Sequence, residues 1–250
     1  MAFEFLKYDY YKGMNVAIRE KIKEKQVISP LVGELPKEKI RTKVTAVLPA
    51  YNAEKTLYKT FINIPLDVVT EVIMVDDAST DKTVEAAKQI DDLVVVIHEK
   101  NKGYGGNQKT CYNEALKRGA MVVIMIHPDW QYDPKCVPEM IKPIVSGEAD
   151  FVIGSRFLNA DPRQGGMVWW RYVGNRFLTT LQNRVMGANL SEGHSGYRAY
   201  SKQFLEEIDY NVFSDDFVFD SQMLAAASRG KYRISEVPIP TRYEKDSSSI

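Results

Sequence analysis

The chain has 250 residues, with 33 basic and 33 acidic side chains, 44% hydrophobic and 26% charged residues, the profile of an ordinary globular protein with one sizeable core. A formal net charge of zero gives no basic surface for nucleic acid. No apolar run approaches the roughly 20 residues needed to span a bilayer.

Residues 1–42 read as an extension ahead of the fold. Phe3, Phe5, Leu6, Tyr8, Tyr10 and Tyr11 give it an aromatic start, and Met14, Ile18 and Ile22 recur at helical spacing beside Arg19, Lys21, Lys23 and Lys25. Such a segment suits peripheral association with an anionic membrane surface, and equally a packing or dimerisation arm. From Lys43 onward, apolar runs alternate with helix-period segments, as in successive βα units. A first strand is predicted from Val44 to Leu48, closed by Pro49, and a helix after Asn52 carries Leu57, Phe61 and Ile64 up to Pro65. The second unit is Glu71 to Val75, then a helix from about Asp81. The third is Leu93 to Ile97, the turn Asn101-Lys102-Gly103-Tyr104-Gly105-Gly106, and a helix to Arg118 ended by Gly119. The fourth is Met121 to Ile126, with a helix entered through Asp133-Pro134, and the fifth strand is Phe151 to Ile153.

The clean alternation then stops. A Gly-rich loop at Gly165-Gly166 precedes a long helix from Val168 to Met186 that Gly187 terminates. The polar turn Ser191-Glu192-Gly193-His194-Ser195-Gly196 follows, then a helix from near Asp216. Ile234 to Ile239 reads as an edge strand because of Pro238 and Pro240. Cys111 and Cys136 are the only cysteines and read as packing residues. With no basic-then-apolar leader, a reducing cytoplasm is the expected location.

Two acidic clusters fall where buried strands end: Asp76-Asp77-Ala78-Ser79-Thr80-Asp81 after Val72-Ile73-Met74-Val75, and His127-Pro128-Asp129-Trp130-Gln131 after the fourth strand. In an open, mostly parallel α/β sheet that edge is where ligands bind. Carboxylates stranded there are poorly explained by folding alone and suit a nucleotide and its metal.

Four ordered motifs carry a family resemblance: Val47-Leu48-Pro49-Ala50-Tyr51-Asn52-Ala53-Glu54, Val75-Asp76-Asp77-Ala78-Ser79-Thr80-Asp81-Lys82-Thr83, Asn101-Lys102-Gly103-Tyr104-Gly105-Gly106 and Gly154-Ser155-Arg156. Together they resemble the family 2, GT-A-fold inverting glycosyltransferases, and within them the dolichyl- or polyprenyl-phosphate sugar transferases. The resemblance implies an α/β, three-layer, Rossmann-like fold with a mostly parallel central sheet over residues 43–250. Residues 43–154 would then be the nucleotide-sugar half and residues 155–250 the acceptor half. It further implies transfer of a sugar from a nucleotide diphosphate sugar to an acceptor, with a divalent cation, Mg²⁺ or Mn²⁺, against the diphosphate. A polyprenyl or dolichyl phosphate is the first acceptor and a glycan hydroxyl the second. Relatives often continue past such a Ser-Ser-Ile element into helices near or through the membrane, and the sequence alone leaves open whether the end at Ile250 is a trimmed one.

By the same resemblance, Pro49, Tyr51 and Glu54 wall the base and ribose, and Asp76 accepts hydrogen bonds from the base or its neighbours. Asp77, Gly105, Gly106, His127 and Asp129 complete the donor site. Asp77 and Asp81 are equally suited to capping the next helix, and the glycine run to a tight structural turn. Family members carry Asp-x-Asp after strand four, often with a glutamine two residues later; here His127, Asp129 and Gln131 stand in those places. His127 is open to three readings: a metal ligand favouring Mn²⁺, a donor to the nucleotide while Asp129 and Gln131 hold the ion, or a packed histidine. Arg156, Arg171, Arg176 and Arg198 are assigned to phosphate on donor or acceptor, with surface ion pairing as the alternative. A lipid phosphate is already anionic, whereas a hydroxyl acceptor needs a base. Asp216, ahead of Asp215, is the expected base or acceptor-positioning group, and Asp220 lies one turn on. A nucleotide-sugar-binding module without activity, with His127 marking a degenerate metal site, is the rival. A sugar nucleotidyltransferase would carry a Gly-rich opening after strand one, which is missing here.

Overall fold

The computed structural model describes residues 42–158, 162–163 and 166–240; the aromatic segment read within 1–42, Gly165 and the Ser247-Ser248-Ser249 tail lie outside the described residues. Its strands are β1 (Val44–Ala50), β2 (Glu71–Asp76), β3 (Leu93–Ile97), β4 (Val122–Met125), β5 (Phe151–Ser155), β6 (Arg198–Ser201) and β7 (Ile234–Pro238). Its helices are α1 (Leu57–Phe61), α2 (Thr83–Lys88), α3 (Gly103–Lys117), α4 (Val137–Val145), α5 (Trp169–Met186), α6 (Lys202–Glu207) and α7 (Val218–Arg229).

The strands form one seven-stranded sheet in the order β3-β2-β1-β4-β6-β5-β7. β1 to β4 run parallel, β6 is antiparallel to both β4 and β5, and β7 runs parallel to β5. Successive strand residues face opposite sides of the sheet, and both sides are covered. Ala46, Leu48, Val72, Met74 and Ile124 pack under α1, α2 and α4, while Val47, Ile73, Val75, Val123 and Met125 pack under α3 and α7. This two-sided burial is why the strands read as continuous apolar runs.

Strand order reverses between β1 and β4, which makes their carboxyl ends the topological switch point. β1 runs two residues beyond the expected end and includes Pro49. The last contact to β4 is from the Ile126 N–H to the Val47 carbonyl. Pro49 comes next on that side of β1 and Pro128 on the segment that follows β4, and neither has an N–H to continue the ladder. The two strands part there, opening a crevice.

Other differences from the sequence reading have local causes. The glycine run expected as a turn is the first turn of α3, starting at Gly103 with φ +83°. A Cβ on Gly105 would run into the Ser214 carbonyl, so the glycines are there for close backbone approach. The helix expected from Asp216 begins at Val218, and the one expected up to Pro65 is only α1. β6 and α6 were not foreseen. β6 is four residues long and opens with fully buried Arg198, so it has no strand-like apolar pattern, while the Ser201 hydroxyl accepts from the Phe204 N–H to start α6.

Leu48 is fully buried at the centre of the sheet. Leu48→Ala is expected to lower the unfolding free energy by about 2–5 kcal/mol in urea titrations. Met121→Ala, at a half-exposed position, should stay within about 0.5 kcal/mol. Equal effects at the two positions would contradict this packing.

Candidate active site

Three of the four non-glycine residues with positive φ among the described residues, Asn52, Ala78 and Trp130, sit in the loops after β1, β2 and β4. Backbone held in that sparsely populated region tends to gather at functional edges. The loops are tied together by side chains. Asn52 Oδ1 accepts from the Thr80 N–H at 2.9 Å, Asp81 Oδ2 from the Glu54 N–H at 3.1 Å, and Asp81 Oδ1 from the Thr83 N–H at 2.9 Å. A cleft of about 290 Å³ opens between them, lined by Pro49, Tyr51, Glu54, Lys55, Asp81, His127 and Asp129 among others.

The two adjacent aspartates after β2 have different surroundings. Asp76 is 1% exposed; its Oδ2 accepts from the Ser79 N–H at 3.0 Å, and its Oδ1 has no hydrogen-bond partner. An unpaired buried carboxylate oxygen is costly and marks a place where a ligand donor would be welcome. Asp77 is fully engaged. It accepts from the N–H groups of Lys102 and Gly103 at 2.8 and 3.0 Å and meets His98 Nδ1 at 2.7 Å, so it anchors the start of α3. Gly105 and Gly106 likewise turn their N–H groups to the Asp215 carbonyl, at 2.6 and 3.2 Å, leaving no anion cradle at that helix start.

A larger cavity of about 570 Å³ lies beside the first and shares His127 and Asp129 with it. Tyr104, Gln131, Arg156, Trp170, Arg171, His194 and Asp220 also line it. The His127 ring stacks on Tyr104, with centroids 5.5 Å apart, and its Nε2 lies 3.2 Å from the Tyr104 hydroxyl. That hydroxyl donates its single proton to Asp220 Oδ2 at 2.9 Å. Its oxygen therefore faces His127 as an acceptor, which assigns the hydrogen to Nε2 and, in the neutral ring, the lone pair to Nδ1. Gly196 leaves room for the ring, since a Cβ there would lie 2.8 Å from His127 Nε2.

Asp220 is held from three sides. Besides Tyr104, Gln108 Nε2 donates to its Oδ1 at 3.3 Å, and Arg198 lies 3.6 Å away. The four arginines grouped in the sequence reading separate here. Arg198 is fully buried and spends its N–H groups on the carbonyls of Ser195, Gly193 and Asp220, so it braces the chain behind the cavity. Arg176 bonds the Ser191 carbonyl and is not among the cavity-lining residues. Arg156 and Arg171 do line it; Arg156 is 7% exposed and its backbone and guanidinium N–H groups meet both oxygens of fully buried Glu192. Asp215 pairs with Lys109 at 2.8 Å, and neither it nor Asp216 lines either cavity.

Sequence reasoning passed over Tyr104, His194 and Glu192 and gave Asp220 only a passing place. His194 Nε2 is buried without a partner, and burial pushes the imidazole pKa down, keeping it neutral. For Asp220 a signal existed: it lies four residues beyond Asp216, but on a helix whose start was displaced by two residues.

Among the described residues no group of three or more His, Cys, Asp or Glu side chains is arranged to hold a metal by itself. Asp129, His127 and Gln131 offer one carboxylate, one imidazole lone pair and one amide around the shared wall. Burial pushes the Asp129 carboxyl pKa up, with His127 and the N–H of Gln131 pulling it back. Such a partial oxygen and nitrogen set fits a cation that takes its remaining ligands from substrate oxygens and water.

A switch-point crevice at the carboxyl ends of a mostly parallel sheet, with an antiparallel strand inserted beyond it, is the GT-A arrangement of an α/β fold. The chain belongs to glycosyl transferase family 2, whose model matches residues 45–209, and it is a glycosyltransferase. It is 29% identical over 218 residues to a UDP-N-acetylglucosamine–dolichyl-phosphate N-acetylglucosaminyltransferase of Methanococcus voltae, covering 80% of this chain and 86% of that one. It is 30% identical over 209 residues to protein MJ1222 of Methanocaldococcus jannaschii, covering 84% and 85%. A crystal structure of glucosyl-3-phosphoglycerate synthase from Mycobacterium tuberculosis, in complex with Mn²⁺, UDP and phosphoglyceric acid, superposes with a TM-score of 0.63 at 24% identity over 85% of this chain and 75% of that one.

Glu192→Gln leaves the Arg156 guanidinium buried beside a neutral group, and a loss of about 3–5 kcal/mol in unfolding free energy is expected from urea titration. A loss under about 1 kcal/mol would mean that the pair is solvated. Asp129 gives the opposite sign. Its raised pKa means that the folded chain holds the proton more tightly than the unfolded one, so its favourable contribution is complete below the ordinary value of 3.8 and is lost as pH rises through the raised value. Asp129→Asn is therefore expected to melt higher than the parent at pH 7 and level with it below about pH 4. A lower melting temperature at pH 7 would show that the carboxylate is held by favourable contacts instead.

Proposed function

We propose that the protein is an inverting glycosyltransferase that moves a sugar from a nucleotide diphosphate sugar to a polyprenyl or dolichyl phosphate. One observation carries the reading: His127 and Asp129 wall both cavities, so a diphosphate reaching out of the smaller cleft ends where the larger one begins. Pro49, Tyr51 and Glu54 line the smaller cleft and suit the base and ribose of the donor, whereas Asp76, although its Oδ1 lacks a partner, is not among the lining residues. The named activity of the Methanococcus voltae relative supports both a UDP-sugar donor and a dolichyl phosphate acceptor.

In this scheme an oxygen of the acceptor phosphate forms the new bond to the sugar C1 from the face opposite the departing diphosphate. The C1–oxygen bond to the nucleotide breaks, its electron pair leaving with the nucleoside diphosphate. Asp129, Gln131 and His127 Nδ1 would hold a divalent cation, Mg²⁺ or Mn²⁺, which supplies charge neutralisation for the diphosphate. Arg156 and Arg171 line the acceptor cavity and suit its phosphate. Water is displaced by the aromatic wall of Tyr104, Tyr132, Trp170 and Phe217.

Asp220 favours a second reading. It is the carboxylate that α7 contributes to the cavity lining, held by Tyr104 and Gln108, and a hydroxyl acceptor needs such a base. With a lipid phosphate its work reduces to positioning. Asp216, outside both cavities, is the less suited of the two.

A panel of nucleotide sugars, each offered with dolichyl phosphate or with a neutral glycan, tests this by release of nucleoside diphosphate and capture of the product. Transfer to dolichyl phosphate is expected, abolished by Asp129→Asn and little changed by Asp216→Ala. Asp220→Asn should slow lipid phosphate transfer by about tenfold but a hydroxyl acceptor by about 10²–10⁴-fold. Undiminished transfer by Asp129→Asn would remove the cation role, and no transfer with any donor would remove the proposal.

A further inference from the structure

Helix α5 leaves most of its apolar side chains in solvent. Of its 18 residues only Thr179 is buried, and Tyr172, Asn175, Gln182, Asn183 and Met186 flank it on the half-covered side. Opposite them, Trp170, Val173, Phe177, Leu181 and Val185 follow at intervals of three and four residues, which sets them in one stripe. They are 58, 55, 67, 51 and 77% exposed, and Trp169 at the helix start is 72% exposed. A helix on a water-facing surface has the reverse arrangement. Single exposed apolar residues are ordinary, but a contiguous stripe marks a surface that something apolar covers.

Charge selects the occupant. Arg171, Arg176 and Arg184 all project from α5, and the helix contains no Asp or Glu. A two-fold partner copy would bring a second set of three arginines and no carboxylate to the same helix pair. An anionic lipid surface accepts the stripe and the arginines together. Tryptophan at the end of such a helix is the side chain that prefers the bilayer interface. The stripe also adjoins the larger cavity, which Trp170, Arg171 and Leu178 help to line.

We propose that α5 docks the protein on an anionic phospholipid surface, with Phe177, Leu181 and Val185 among the acyl chains and the arginines at the headgroups. The inference goes beyond the transferase reading and does not depend on the acceptor. If both hold, a lipid phosphate enters the cavity from the membrane without crossing water.

Flotation of the full chain with phosphatidylcholine vesicles, with and without phosphatidylglycerol, tests the proposal. Binding is expected only with phosphatidylglycerol, falling as salt is added. The double variant Phe177→Glu, Val185→Glu should bind about tenfold more weakly or worse, with an unchanged melting curve. Arg184→Gln should weaken binding about fivefold. Absence of binding, or binding that the double variant leaves intact, would overturn the proposal. So would a dimer in sedimentation that the double variant dissociates, because that assigns the stripe to a second copy. Strong protection of Trp169 and Trp170 from acrylamide in the lipid-free monomer would overturn it as well, by showing that the chain covers its own stripe. Transfer to a short-chain, water-soluble lipid phosphate in vesicle-free buffer reports on the reaction separately, so either reading can fail without the other.

Discussion

The parting of β1 from β4 is the constraint from which the site follows. Two parallel strands share hydrogen bonds up to Val47 and Ile126, and then a proline after each of these residues withholds the next donor. Strand order reverses at the same place: β2 and β3 lie on one side of β1, while the chain returns to its other side for β4. Everything chemical in the molecule is arranged around that gap. His127, Pro128 and Asp129 occupy its centre, and the two cavities lie to either side.

Around it the protein tolerates an unusual amount of buried charge. Arg198 and Arg156 are buried, yet each is surrounded by oxygens: carbonyls and Asp220 for the first, Glu192 for the second. Replacing such groups by apolar ones of similar volume often costs nothing in stability, so their presence is better explained by what they hold in place. Arg198 fixes the 193–198 turn and Asp220 together, and Asp220 in turn fixes Tyr104 and, through it, the His127 ring. The orientation of the imidazole at the centre of the site is thus set by a guanidinium that lines neither cavity.

Much of the first half of the fold was legible because its strands are buried on both faces and its helices have clear stops. β3 runs from Leu93 to Ile97 as read, α5 ends at left-handed Gly187 as read, and Asp133 and Pro134 do open the helical turn before α4. Tertiary demands overrode local patterns elsewhere. Gly103, Gly105 and Gly106 are poor helix formers, yet a helix starts there because the Ser214–Asp215 segment needs the space. β6 hides an arginine in a strand, which no alternation rule anticipates. For the site, the strand-end positions of Asp76 and Asp129 were readable from the runs before them. The choice among Asp215, Asp216 and Asp220 was not, because helix phase depends on a start that shifts by two residues with the loop before it.

The clasp between the Asp215 carbonyl and the amides of Gly105 and Gly106 has a mechanical consequence. Asp77 ties the same helix start to the end of β2, so the segment before α7 is coupled through α3 to the sheet itself. Force applied on that rim is shared by the whole scaffold. The other rim is built more lightly: α5 buries Thr179 outright and otherwise rests on half-buried Tyr172 and Met186 and on the bonds of Arg176 and Asn183 to the Leu190–Ser191 backbone, so widening of the mouth for bulky cargo meets least resistance on that side.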